Sequence, residues 1–89
     1  MSYLLVQHTV KDYDTWRPYY DQHAATRADF GCTGDQVFQD AGDPNKITLL
    51  FEWDSFESAD RFLKESNLAE VMQNAGVIGQ PHVTFLNGA

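Results

Sequence analysis

Apolar positions along this chain recur every second residue, then every third or fourth, and finally every second again. Tyr3 to Val10 splits into two alternating sets: Tyr3, Leu5, Gln7, Thr9 and Leu4, Val6, His8, Val10. That alternation predicts a strand. Neither set is strongly polar, so both faces of the strand are expected to be covered. From Tyr13 the period lengthens, and Tyr13, Trp16, Tyr20, Ala24 and Arg27 share one helical stripe. Asp12 or Asp14 can cap this helix, because a side-chain oxygen there accepts the free N–H groups of the first turn. Pro18 favours the later start, since a proline deeper in a helix removes a hydrogen bond. Gly31 can take the positive φ that closes a helix.

Thr33 to Asp40 reads as a second, more polar strand, and Gly42-Asp43-Pro44-Asn45 as a turn. Lys46 to Trp53 is a third strand, which makes a hairpin with the polar one at the sheet edge. The pattern switches at Asp54-Ser55, either of which caps a second helix, with Glu57 favourably placed in its first turn. Phe56, Ala59, Phe62 and Leu63 form the apolar stripe. Ser66 or Asn67 interrupts it, and Leu68, Val71, Met72 and Ala75 make a further short stripe closed by Gly76. Gln80 to Leu86 is the last strand. The helix pairs Arg17/Asp21, Glu57/Arg61 and Asp60/Lys64 have the spacing of solvated ion pairs.

The order β-α-β-β-α-β is the split βαβ arrangement, an α+β ferredoxin-like fold. Right-handed crossovers put both helices on one face of a four-stranded antiparallel sheet. Strands apolar on both sides leave the other face in need of cover, and a homodimer through that sheet face is the simplest supply.

Composition sharpens this picture. At 89 residues the chain is expected to be a single domain spanning 1–89. A chain this short buries only about 60–65% of its unfolded surface, which again favours a second subunit. Cys32 is the only cysteine, so no internal disulfide forms. Thirteen acidic against six basic residues give a formal charge of −7, with the basic ones scattered. Nucleic-acid and membrane-surface binding need clustered cations and are disfavoured. No stretch approaches the ~20 apolar residues of a membrane span, and the N-terminus does not read as a signal peptide. The expected location is cytoplasmic.

The first strand ending in Val10-Lys11, the exit Phe51-Glu52-Trp53-Asp54-Ser55, the Ala59…Phe62-Leu63 helix and the Leu68…Met72 short helix leading to Val83-Thr84-Phe85 carry a resemblance. Together they resemble the antibiotic-biosynthesis-monooxygenase-like domains of the dimeric α/β-barrel superfamily, over nearly the whole chain. These are motifs of architecture, and the fold hosts unrelated chemistries. The resemblance implies a ligand cavity between sheet and helices. It also implies a range of activities: cofactor-independent oxygenation of aromatic polyketides, polyketide cyclisation, or haem degradation. The haem-degrading branch places an Asn on strand one, a Trp on helix two and a His on the short helix. Val6, Phe62 and Met72 stand at those positions, which argues against haem oxygenation.

His8 shares the Leu4, Val6 face and could be a general acid or base at neutral pH, or a histidine satisfied by a backbone partner. Arg27 is the odd charge on an apolar stripe. It could hold a carboxylate, phenolate or enolate, or snorkel outward near the helix end. His23, one turn earlier, is either exposed or a pocket-wall acid–base group. His82 on the last strand could lie near His8, yet no third ligand at a recognisable spacing makes a metal site. Tyr13, Trp16, Tyr20, Phe51, Trp53, Phe62 and Met72 supply an apolar wall, either plain core or a substrate pocket, with Tyr20 offering a hydroxyl; Trp16, Tyr20, Phe51, Trp53, Phe62, Met72 and His82 are the candidate substrate-binding residues. Cys32 follows a helix C-terminus, which opposes a thiolate, so it is not a nucleophile.

The expected function is binding of a small hydrophobic ligand by a dimer resembling cofactor-independent monooxygenases or cyclases, with no cofactor or metal. His8, His23 and Arg27 are its candidate catalytic residues. The alternative is a non-catalytic metabolite-binding or structural dimer.

Overall fold

The computed structural model describes residues 2–89. Its elements in chain order are β1 (Ser2–Val10), α1 (Tyr13–Gln22), α2 (Ala24–Phe30), β2 (Cys32–Asp40), β3 (Asp43–Trp53), α3 (Phe56–Glu65), α4 (Leu68–Asn74) and β4 (Val77–Asn87). The strands form one antiparallel sheet in the order β2-β3-β1-β4, so the fold is the ferredoxin-like α+β arrangement with polar β2 at an edge. Leu4, Val6, His8 and Val10 of β1 and Ile47, Leu49, Phe51 and Trp53 of β3 are all buried. The register sets Leu4 beside Phe51, Val6 beside Leu49 and His8 beside Ile47. One face of the two central strands is therefore a continuous floor. Trp16, Tyr20, Ala59 and Phe62 cover it from the helices, each large apolar side chain contributing about 1.5–3 kcal/mol by leaving water.

The first helical segment departs from the expected single helix with a late start. Asp12 is its cap, accepting from the Thr15 N–H at 3.0 Å, and Pro18 lies inside α1. The carbonyl of Asp14 that Pro18 cannot satisfy belongs to an exposed turn, where solvent can replace the missing donor. The helix breaks at His23, whose backbone closes α1 and opens α2. That break rotates the stripe: His23 is buried and Ala24 is exposed, the reverse of the regular spacing. Gly31 ends α2 at φ 110, and its carbonyl accepts from the Asp54 N–H at 3.0 Å.

The hairpin turn is tighter than expected. Asp43, Pro44 and Asn45 already belong to β3, and Ala41-Gly42 alone makes the reversal, with Asp40 paired to Asp43. Pro44 is tolerated because the β1 pairing of β3 stops at Lys46. The Asn45 side chain accepts from the Tyr13 N–H at 2.9 Å and fastens the hairpin to α1. Ser55 caps α3. On its surface Arg61 pairs with Glu65 rather than with Glu57, while Arg17/Asp21 and Asp60/Lys64 pair as expected.

β4 begins three residues before the expected Gln80. Gln7 opposes His82 and Thr9 opposes Ile78, so Gly79, Gln80 and Pro81 bulge out opposite His8. Gly79 takes φ 70 there. The outer sheet face is mixed rather than apolar. Tyr3, Leu5, Leu50 and Leu86 sit among Gln7, Gln36, Thr48, Glu52 and His82. Among the described residues no helix is long and apolar enough to cross a membrane.

Candidate functional site

The alternation of β1 and β3 turns one row of side chains toward the helices, and a cavity remains between them. Leu4, Val6, His8, Leu49 and Phe51 form its floor. One wall is Trp16, Tyr19, Tyr20, His23 and Arg27 from α1 and α2, and the other is Phe62, Leu63, Leu68, Val71, Met72 and Ala75 from α3, α4 and its cap. The open space amounts to about 50 Å³. Sites for drug-sized molecules run to roughly 300–1,000 Å³, so a guest of that size must displace side chains.

His8 is 8% exposed and meets Trp16 edge-on at 5.6 Å between ring centroids. Its Nδ1 is buried with no hydrogen-bond partner among the described residues. Burial holds its pKa below the ordinary 6.5, because a charged imidazole loses hydration there. His8 is therefore neutral at pH 7, with one ring nitrogen left without a partner among the described residues. The backbone-satisfied alternative does not describe this side chain.

His23 is also buried, packed at 5.6 Å against the Phe62 ring, with Nε2 3.2 Å from the Asn67 side-chain oxygen. Burial lowers its pKa most; the Asn67 hydrogen bond works against that, and the Arg27 charge adds to it. Arg27 is 5% exposed and does not snorkel. Its Nη1 donates to the Tyr20 carbonyl at 3.0 Å, and its guanidinium lies 4.0 Å above the Tyr20 ring centroid and 5.6 Å from that of Phe51.

Tyr20 lines the cavity, but its hydroxyl donates to the Asp35 carboxylate on β2. Burial and that bond push the phenol far above its usual pKa. The hydroxyl is committed, so Tyr20 serves as a ring rather than as an acid. Trp53 is fully buried in the core, packed at a tilt against Phe62 with ring centroids 5.1 Å apart, and lies outside the cavity lining. His82 pairs with Gln7, exposed on the outer face, so its ring and that of His8 project to opposite sides of the sheet. Cys32 donates to the Gly34 carbonyl at 3.3 Å, and burial pushes its thiol up. Among the described residues no three His, Cys, Asp or Glu side chains gather as a metal site would require.

Asp35 and Asn67 were not among the candidates from sequence. Asp35 is two residues from Val37, so the two-residue period already puts both on one face. Asn67 gave only the sign of a helix interruption. Val6, Phe62 and Met72 all line the cavity.

No protein-family model matches the chain, and neither does any curated protein. Solved structures do. One described as an antibiotic biosynthesis monooxygenase matches with a TM-score of 0.78 and 18% identity, over 100% of this chain and 99% of its own. SnoaB from Streptomyces nogalater, a cofactor-independent oxygenase, matches with a TM-score of 0.81 and 12% identity, over 99% and 92%. A conserved protein from Methanosarcina mazei Go1 matches with a TM-score of 0.69 and 14% identity, over 99% and 92%. The chain thus has the fold of antibiotic-biosynthesis-monooxygenase domains.

Proposed function

We propose that this protein is a small cofactor-independent enzyme acting on a hydrophobic aromatic substrate that can be deprotonated. The observation carrying this reading is the placement of an unpaired neutral imidazole, His8, and a buried guanidinium, Arg27, on one largely apolar cavity. His8 takes a proton from a phenol or enol, and the fixed positive charge of Arg27 favours the anion formed. The electron-rich anion then reduces O2 directly. A ring CH2 becomes C=O, one oxygen atom enters the product and the other leaves as water. The substrate supplies every electron, so the balance calls for no flavin, haem or metal. His23 is the second acid–base candidate, and Trp16, Tyr20, Phe51, Phe62 and Met72 hold the ring system. A polyketide cyclase would use the same base to remove an α-proton.

Oxygen consumption with a panel of ionisable aromatic substrates, from single-ring phenols to anthrones, tests the oxygenase reading, and no uptake across the panel would remove it. His8→Ala should abolish turnover while leaving ligand affinity within a few-fold.

The small free volume favours a second reading, a non-catalytic dimer that binds a compact metabolite or serves as scaffold. Under it, His8→Ala and His23→Ala change nothing but stability. In both readings the outer sheet face pairs with a second copy, around Tyr3, Leu5, Leu50 and Leu86, in a cytoplasmic homodimer. Leu50→Lys should shift sedimentation from dimer to monomer, and a wild-type monomer at micromolar concentration would refute the pairing.

A further inference from the structure

We propose that the cavity holds its ligand as a monoanion, a negatively charged oxygen carried on a compact aromatic ring, whether the ligand enters ionised or yields its proton to His8, and that Arg27 recognises that oxygen. This rests on the reading of the cavity as a ligand site but not on oxygen chemistry.

The argument begins with an imbalance of charge. Arg27 is 95% buried in a chain of net charge −7, yet no carboxylate among the described residues forms an ion pair with it. The ion pairs among the described residues are all helical pairs at the surface. Asp35, the acid that the register of β2 turns toward the helices, shares a second cleft with Arg27, but it accepts the Tyr20 hydroxyl and forms no ion pair with the guanidinium. A guanidinium is a rigid fork of several N–H donors, and only Nη1 has an acceptor among the described residues, the Tyr20 carbonyl at 3.0 Å. The ring faces of Tyr20 and Phe51 give partial compensation. They do not replace an anion, because a charge so largely withdrawn from water gains strongly from a paired one.

The remaining donors and the missing counter-charge are what a carboxylate or phenolate would provide, in short charge-assisted hydrogen bonds. The rest of the lining selects the body of the ligand. Trp16, Tyr20 and Phe51 present a run of rings with centroid spacings of 5.0 and 6.3 Å, suited to a planar partner. The open volume of about 50 Å³ favours a single ring over a fused polycycle. The charge state follows as well. His8 and His23 are held neutral at pH 7 by burial, so Arg27 is the one cation on the cavity wall among the described residues and matches one negative charge.

The test compares benzoate with its neutral isostere benzamide by calorimetric titration of the full chain at neutral pH. Benzoate should bind roughly tenfold to a hundredfold more tightly, the span expected of a hydrogen bond to a charged group. Arg27→Gln should erase that preference, and Arg27→Lys should keep part of it. A further measurement needs no variant. Para-nitrophenol, whose absorbance reports ionisation, should bind in its yellow anionic form and show a lowered apparent pKa. Benzoate alone binding would narrow the class to carboxylates, and nitrophenolate alone to acidic phenols. Equal affinity for benzamide and benzoate, binding of para-nitrophenol in its neutral form, or no binding of any probe would overturn the proposal. Charge-selective binding without oxygen uptake would leave this inference standing and remove the oxygenase reading. Oxygen uptake with charge-blind binding would do the opposite.

Discussion

The two walls of the cavity are built very differently. The α1–α2 wall contributes Trp16, Tyr20, His23 and Arg27, all buried, and is fastened by the Asp12 cap and the Asn45 bond to the Tyr13 N–H. On the facing wall Phe62 of α3 and the α4 cap Ala75 are buried, but the residues α4 itself contributes, Leu68, Val71 and Met72, are only half-buried. The first turn of α4 has no side-chain cap, and the link from its N-cap to the α1–α2 wall is the contact of Asn67 with His23. The chemically equipped wall is the firm one and the purely apolar wall is the soft one. A guest larger than the open volume is expected to be admitted by movement of α4, with Met72 as the most adaptable side chain, while His8, His23 and Arg27 keep their places.

Mutations should separate the walls. Trp16→Ala removes a ring stacked on Tyr20 and should destabilise the fold by about 3–5 kcal/mol in urea titration. Val71→Ala on α4 should cost less than about 1 kcal/mol. Equal losses would erase the distinction. Next in size is Gly31→Ala, at the end of the firm wall. A Cβ there would meet the Asp54 carboxylate at 2.7 Å with the backbone at φ 110, and a destabilisation of roughly 1–3 kcal/mol is expected. Asn67→Ala should change global stability by under about 1 kcal/mol while accelerating amide hydrogen exchange in α4 and leaving α1 unchanged. Exchange that rises equally in both helices would show that they open as one unit.

Titration of the histidines is the smallest effect. The folded chain holds His8 and His23 below 6.5, so below that pH the unfolded chain binds protons that the folded one does not. Stability should therefore be level with respect to these groups above pH 6.5 and decline as pH falls beneath it, until the folded imidazoles protonate too. His8→Gln, measured by urea midpoint against pH, should flatten part of that slope, and a slope unchanged in both His8→Gln and His23→Gln would place the titration elsewhere.

Much of the architecture was legible because it depends on local periodicity. The alternation in β1 and β3 and the switch at Ser55 are written in adjacent residues, and the polar character of β2 announced the sheet edge. Helix one was read less well. Pro18 looked like a start signal, yet an exposed turn tolerates the unpaired carbonyl, and the break at His23 turned Ala24 outward. The Ala41-Gly42 turn was obscured by Asp43-Pro44-Asn45, three turn-forming residues that the strand absorbs beyond its β1 pairing.

The site was legible in kind but not in connection. His8, His23 and Arg27 could be singled out as polar residues on apolar rows. Which hydroxyl or nitrogen remains free depends on partners distant in sequence. Asp35 takes up the Tyr20 hydroxyl across 15 residues, and Asn67 meets His23 across 44. His82 left the candidate set because cross-strand pairing with Gln7 assigns its face. Local spacing by itself determined the order of strands and helices and the residues able to carry chemistry, since backbone geometry repeats over a few positions. The tertiary structure alone decided that His8 keeps an unpaired nitrogen and Arg27 an unpaired charge beside one small cavity, because satisfaction of a buried polar group is a property of everything packed around it.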